Sequence, residues 1–221
     1  MPIIVFDLDD TLYPEKDFVL SGFQAVDEWL LNERQLTGFN QIARQLFNAE
    51  RRGDIFDQAL LQMGRDPDYG LVRKMIDVYR SHTPSISLPE ETRLVLSELK
   101  GDTSLAIITD GYLEVQRRKV AALNLSQYVD CIVYSDEEGH TAWKPSIRPY
   151  QRVTEYFQMN NVQFVYVGDN PTKDFISPNK LGWITIRVRR EWGEHFTKDL
   201  AGEYRATHTV EKLSDMVPLI K

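Results

Sequence analysis

Residues 3–12 read IIVFDLDDTL, a run of four apolar residues that ends in an acidic turn. A short apolar run bounded by turn-forming residues predicts a fully buried strand. Similar runs recur at 105–108, 132–134, 164–167 and 183–188, and helical patterns separate them. Buried strands that alternate with helices indicate a parallel sheet covered on both faces. We therefore predict an α/β fold built on a doubly wound parallel sheet.

Nearly a hundred residues separate the first predicted strand from the second, far more than one crossover helix requires. Between about residues 17 and 82 the pattern is helical, with apolar residues spaced three and four apart. The segment 89–100 then predicts the crossover helix that returns the chain to the sheet. We therefore predict a Rossmann-like core of residues 1–14 and 84–221 and an inserted α-helical domain of residues 15–83.

Charge and composition restrict the possible partners. The chain has 33 acidic and 26 basic residues, and its net charge of -7 opposes binding to a nucleic-acid polymer. The single cysteine, Cys131, excludes an internal disulfide and a metal site built from several thiolates. The first apolar run ends at Asp7, too early for a signal peptide or a membrane span, so we predict a cytoplasmic protein without a membrane partner. We expect the clustered basic residues to be solvated: Arg51, Arg52, Arg117, Arg118, Lys119, Arg187, Arg189 and Arg190.

Residues suited to chemistry follow the predicted strands. The candidates share this position in the turns after the strands: Asp7, Asp9, Thr109, Asp110, Gly111, Lys144, Asp169 and Asp174. Turns at the carboxyl ends of parallel strands open on one edge of the sheet, so we expect these residues to converge. An aspartate at a strand end is also typical of a simple turn or helix cap, and a lone lysine of a surface position. Together, however, the set supplies the acids, hydroxyl and ammonium that phosphoryl transfer requires.

Converging carboxylates repel one another unless some are protonated or a cation lies among them. The ligands on offer are oxygen atoms, and the four histidines are scattered along the chain. Because Mg²⁺ prefers hard oxygen ligands, this set indicates Mg²⁺ rather than zinc.

With these residues in place, the chain resembles the haloacid dehalogenase superfamily of aspartate-nucleophile phosphohydrolases. Residues 7–12 fit the first family motif, Thr109 the second, Lys144 the third and residues 168–174 the fourth. The resemblance spans essentially the whole chain, and the helical insertion resembles the cap domain of subclass I. The four motifs in order, each after a predicted strand, make the resemblance specific.

The resemblance implies a role for each candidate. Asp7 would attack phosphorus to form an aspartyl-phosphate, and Asp9 would protonate the leaving oxygen and later deprotonate water. Lys144 would neutralise charge on Asp7 and on the phosphoryl group. The phosphoryl oxygens would be held by the Thr109 side chain, the backbone N–H groups of Asp110 and Gly111, and Lys144. The Mg²⁺ ion would be held by Asp7, the backbone carbonyl of Asp9, and Asp169, with Asp174 supporting either the metal or Lys144.

The resemblance favours a phosphatase over a dehalogenase, because a halide leaves without a proton and needs no acid at Asp9. The expected substrate is a small phosphate ester such as a sugar phosphate or a nucleoside monophosphate, over which the cap would close. A phosphosugar mutase that uses the same aspartate remains an alternative. Two alternatives from other classes fit less well. A receiver domain carries its phosphorylated aspartate after the third strand, whereas Asp7 follows the first. A non-catalytic binding module would have degraded motifs, and none of the four motifs is missing here. The oligomeric state and the individual metabolite stay open.

Overall fold

The computed structural model describes residues 2–159 and 161–220. The chain forms two compact units, one of Met1–Glu15 with Ser87–Lys221 and the other of Lys16–Ile86. The terminal residues 1 and 221 of the predicted core lie outside the described residues.

The first unit is built on a sheet of six parallel strands in the order β3-β2-β1-β4-β5-β6. The strands are β1 (Ile3–Phe6), β2 (Ser104–Thr109), β3 (Cys131–Tyr134), β4 (Phe164–Gly168), β5 (Ile184–Val188) and β6 (His208–Val210). Every side chain of β1 is buried, as its continuous apolar run predicts for a central strand with both faces covered. The predicted α/β parallel sheet is confirmed. Strand β6 was not predicted, because it has three residues and two of them are exposed.

The helices alternate with these strands except in the insertion. They are α1 (Glu15–Arg34), α2 (Phe39–Asn48), α3 (Ile55–Gln62), α4 (Tyr69–Ser81), α5 (Glu90–Lys100), α6 (Leu113–Ala122), α7 (Arg148–Phe157), α8 (Ile176–Lys180) and α9 (Val217–Ile220). Helix α5 is the predicted crossover into β2. In the described residues, no helix has the length and the apolar composition that crossing a membrane would require.

The second unit is wholly helical and has its own core. Phe23 packs edge to face against Phe39 and Phe56, whose rings stack with their centroids 5.6 Å apart. Leu60 and Met75 are fully buried in the same cluster. The apolar stripes of the insertion therefore form a helical core, as the three-and-four spacing predicts.

Two features of the first unit support the turns that carry the candidate residues. Tyr150 on α7 is fully buried, and its hydroxyl donates to the backbone carbonyl of Asp174 at 3.1 Å. Helix α8 begins at Ile176, so Pro178 lies in its first turn, where its missing N–H has no intrahelical partner to lose. The proline therefore does not break the helix that follows the fourth motif.

Candidate active site

The candidate residues lie at the carboxyl edge of the sheet, around its central strand. Asp7 directly follows β1, and its N–H donates to the carbonyl of Val167 on β4 at 2.8 Å. Thr109 is the last residue of β2 and Asp169 directly follows β4. Because β1 pairs with both β2 and β4, the ends of three neighbouring strands bring these residues together.

The Lys144 ammonium is the centre of the buried charge network. Its side chain is 0% exposed, and Nζ donates to Asp7 Oδ1 at 2.5 Å and to Asp174 Oδ1 at 2.9 Å. A third bond, to the hydroxyl of Tyr166 at 3.0 Å, uses the remaining ammonium hydrogen. Asp174 and Asp7 raise the pKa of Lys144 well above its ordinary value although burial opposes them, so the ammonium stays charged.

Asp174 is held on both of its oxygens. Oδ1 accepts from Lys144, and Oδ2 accepts from the backbone N–H of Asn170 at 2.9 Å. A Cβ on Gly168 would lie 2.5 Å from Asp174 Oδ2, so a side chain at this position would displace the carboxylate. The glycine of the fourth motif is therefore required by the close approach of Asp174.

Three carboxylates gather beside this lysine. Asp7, Asp169 and Asp174 are all buried, and each offers an oxygen within 4.8 Å of the others. Burial raises the pKa of Asp7 to about 7 against the pull of Lys144. Burial, Asp174 and Asp7 together raise the pKa of Asp169 well above its ordinary value. The raised values mark an excess of buried negative charge, and a hard divalent cation such as Mg²⁺ fits both this charge and the oxygen ligands.

The Asp9 carboxylate is held by three donors. Oδ1 accepts from the Lys119 ammonium at 2.7 Å and from the Tyr13 hydroxyl at 2.8 Å. Oδ2 accepts from the Gln116 side-chain amide at 2.8 Å. Burial would raise the pKa of Asp9, but the charge of Lys119 and the hydrogen bonds from Lys119, Gln116 and Tyr13 together outweigh burial and lower the pKa. In this arrangement Asp9 is a carboxylate.

The turn after β2 carries the predicted phosphoryl-binding groups. Gln116 also donates to the hydroxyl of Thr109, which ties this turn to Asp9. Gly111 has φ +121°, a conformation that side chains rarely adopt, and a Cβ there would lie 3.3 Å from Gln116 Cδ. The Asp110 carboxylate turns away to accept from the Lys144 N–H and from Lys173 Nζ, each at 3.1 Å. Its side chain therefore supports the two lysines, and the backbone N–H groups of the turn remain the predicted phosphoryl-binding groups.

A cavity of about 180 Å³ opens at this edge of the sheet. Its lining residues are Asp7, Asp9, Asp10, Glu15, Asp110, Asp169, Asn170, Lys173, Glu194 and His195. Seven of the ten are acidic, a lining that repels a phosphate dianion unless a bound cation offsets the charge. The cavity therefore fits a metal-assisted reaction better than metal-free anion binding.

Several buried basic residues here were predicted to be solvated, and that prediction is wrong for Lys119, Arg187 and Arg190. Their side chains are only 3%, 5% and 6% exposed. Arg187 Nε donates to the backbone carbonyl of Asp169 at 3.2 Å, and Arg190 donates to that of Thr11 at 3.3 Å. The sequence suggested a charged surface because near neighbours in each cluster differ in burial: Arg117 is exposed and Lys119 is buried, while Arg189 is half-buried close to the buried Arg187.

Gln116, Lys119 and Tyr13 were not among the predicted site residues. One signal was available for the first two: they lie three residues apart in the helix that follows Thr109, and so share a face. No signal in one sequence shows which face of that helix turns toward Asp9.

The comparisons with known proteins identify the family of the chain. The profile of the family described as haloacid dehalogenase-like hydrolase matches residues 4–188. A glyceraldehyde 3-phosphate phosphatase of Methanocaldococcus jannaschii is 28% identical, covering 99% of this chain and 96% of its own. A ribulose-1,5-bisphosphate 5-phosphatase of Halopiger xanaduensis is 25% identical, covering 98% of each chain.

A solved structure shares the fold. The crystal structure of a HAD-hydrolase from Bacillus subtilis bound to magnesium superposes with a TM-score of 0.69 at 17% identity. The match covers 100% of this chain and 98% of that one. The resemblance inferred from the four motifs is confirmed, and this protein belongs to the family of haloacid dehalogenase-like hydrolases.

Proposed function

We propose that the protein is a Mg²⁺-dependent phosphatase that hydrolyses a small phosphorylated metabolite through an aspartyl-phosphate on Asp7. The class of the enzyme, a phosphate monoester hydrolase, follows from its family and its phosphatase relatives. The observation that carries the finer proposal is the buried Asp7 carboxylate, which lies at the carboxyl end of the central strand in contact with Lys144. The chemistry is assigned to the unit of Met1–Glu15 and Ser87–Lys221, and Lys16–Ile86 is assigned as the cap domain.

In the first half-reaction the Asp7 carboxylate attacks phosphorus and the bond from phosphorus to the ester oxygen breaks. Asp9 is ionised in the free protein, so it takes up one proton from solvent when substrate binds and then passes that proton to the leaving oxygen. In the second half-reaction water attacks the same phosphorus, Asp9 takes a proton from the water, and Asp7 is released as a carboxylate. Lys144 stabilises the charge on the transferred group, and the Thr109 turn holds its oxygens.

The proposed metal ligands are the carboxylates of Asp7 and Asp169 and the backbone carbonyl of Asp9. When bound, Mg²⁺ would neutralise negative charge on the phosphoryl oxygens. Asp174 has both oxygens engaged by Lys144 and Asn170, which supports a role in positioning Lys144 rather than a direct bond to the metal.

The proposed substrate class is a small sugar phosphate. The names of the two relatives above give a phosphorylated triose and a phosphorylated pentulose as their substrates. A phosphate-release screen over sugar phosphates, nucleoside monophosphates and phosphorylated acids, with and without Mg²⁺, tests the proposal. Release of phosphate from one small ester, dependent on Mg²⁺, is expected. Transfer of the phosphoryl group to a second sugar hydroxyl without release would instead identify a phosphomutase.

Asp9→Asn should lower turnover by about 10²- to 10⁴-fold, because the amide can neither donate to the leaving oxygen nor deprotonate water. The loss should be smaller for p-nitrophenyl phosphate than for an alkyl phosphate, since p-nitrophenolate leaves without a proton. Steady-state rates on the two esters check this. Equal losses on both would contradict acid catalysis by Asp9.

Mg²⁺ binding should strengthen as the pH rises through about 7, because the metal competes with the proton on Asp7. In the metal-free protein the raised pKa of Asp7 favours the folded state fully below pH 3.8, and this contribution is lost as the pH rises through about 7. Mg²⁺ should therefore raise the melting temperature more at pH 8 than at pH 5.5. Melting curves at both pH values check this, and an equal shift at both would argue against Asp7 as a ligand.

A further inference from the structure

Helix α6 buries two polar side chains beside the apolar Val120. Gln116 is 1% exposed and Lys119 is 2% exposed, and their spacing of three residues places them on one face. Burying an ammonium is costly unless it is paired, and Lys119 is paired twice, with Asp9 at 2.7 Å and with Glu15 at 3.0 Å. The function of this buried polar face therefore follows from the groups that the two side chains contact, Asp9 and Thr109.

Lys119 restrains the rotation of the Asp9 carboxylate. Oδ1 receives two donors, the Lys119 ammonium and the Tyr13 hydroxyl, while Oδ2 receives the Gln116 amide. Because each oxygen has its own donors, the carboxylate cannot turn without breaking a charge-assisted bond. Among the described residues Oδ2 accepts a single protein bond, so it is the oxygen with room for a transferable proton.

Gln116 connects Asp9 to the phosphoryl-binding turn. An ionised carboxylate only accepts hydrogen bonds, so the amide nitrogen, not its oxygen, must face Asp9 Oδ2. The same nitrogen donates to the Thr109 hydroxyl oxygen. Since that oxygen accepts from Gln116, its own hydrogen is left to donate elsewhere, as a group that holds a phosphoryl oxygen requires.

We infer that Gln116 and Lys119 are positioning residues: Lys119 fixes Asp9 for proton transfer, and Gln116 holds Asp9 and the Thr109 hydroxyl in one constant arrangement. This inference rests on the proposed function, because it assigns both residues an effect through the acid/base and phosphoryl-binding groups. Neither residue contacts the phosphorus or the leaving oxygen in this scheme.

Lys119→Met removes the ammonium and keeps most of the side-chain volume. Turnover of an alkyl phosphate should fall by about 10- to 10²-fold, less than the loss expected when the acid Asp9 itself is replaced. The loss should be smaller on p-nitrophenyl phosphate, and KM should change little. Lys119→Arg should recover part of the alkyl-ester rate. The matched control is Arg117→Met on the same helix, where the side chain is 48% exposed, and it should behave as the wild type.

Gln116→Met should act differently, because it also frees the Thr109 hydroxyl. Inhibition by inorganic phosphate should weaken in Gln116→Met and stay unchanged in Lys119→Met. Lys119→Met made in the Asp9→Asn background should cause no further loss of turnover, since the effects of two substitutions that act through one group are not additive.

The outcomes separate this inference from the proposed function. If Lys119→Met loses equally on both esters, or adds its full loss to that of Asp9→Asn, the positioning role is overturned while Asp7-dependent turnover stands. If the wild type releases no phosphate from any small ester, both fall together. If Lys119→Met is too unstable to assay, Lys119→Gln and Glu15→Gln decide: the first should show the alkyl-selective loss, and the second should not, because it leaves the Asp9 contact intact. The reverse pattern would overturn the inference.

Discussion

Replacing Asp7 with Asn is expected to reduce turnover by at least about 10³-fold, the scale typical of losing a nucleophile. The amide is nearly the same size as the carboxylate and can still accept from Lys144, so the fold should survive. It is neutral and a poor nucleophile, so the covalent step should fail. Steady-state phosphate release with the best small ester measures the loss.

The matched control is Asp102→Asn, which makes the same chemical change at an exposed turn of the same unit. Its rate should equal that of the wild type. If Asp7→Asn retains more than about a tenth of the wild-type rate, the effect is far below that expected for a nucleophile and the assignment of Asp7 is wrong.

Lys144→Met should have the second largest effect, on both activity and stability. It removes the ammonium that contacts Asp7 and Asp174 and leaves their buried carboxylates without that partner. Breaking one side of a buried ion pair typically costs about 3–5 kcal/mol in the free energy of unfolding. Turnover should also collapse, because the variant loses the ammonium that lies against Asp7 and would stabilise the transferred phosphoryl group.

The stability loss in Lys144→Met should depend on pH. Without the ammonium the pKa of Asp7 should rise further above about 7, so at pH 5.5 Asp7 is protonated and adds no unpaired charge to the site. At pH 8 ionisation of Asp7 would leave a buried charge without its ammonium partner, and the loss should be larger. Urea unfolding of the metal-free variant at both pH values measures this. Lys180→Met, at a 58% exposed position, is the control and should lose little at either pH. A loss that is equal at both pH values would contradict the role of Lys144 as the partner of these carboxylates.

The sequence was most informative where chemistry coincides with the ends of strands. Asp7, Thr109 and Asp169 could be placed together because each follows a continuous apolar run, and parallel strands end at a common edge. The insertion was visible as a change from strand spacing to helical spacing. These predictions depend on local pattern and simple topology, and the structure confirms the sheet and the helical insertion.

The parts that the sequence did not reveal depend on long-range packing. Lys119 and Asp9 are 110 residues apart in the chain, and their contact forms because α6 lies beside the turn that follows β1. Arg187 and Arg190 read as charged surface, yet their guanidinium groups donate to backbone carbonyls inside the unit. Strand β6 lacks an apolar run and is defined by its pairing with β5.

The covalent intermediate is the most direct measure of the proposed chemistry. The enzyme is mixed with its best small phosphate ester and Mg²⁺, quenched in acid during steady-state turnover, digested, and analysed by mass spectrometry. The peptide that contains Asp7 should gain the mass of one phosphoryl group (HPO₃), the gain should map to Asp7, and it should be absent in Asp7→Asn. Full turnover with the phosphoryl group on another residue would contradict Asp7 as the nucleophile.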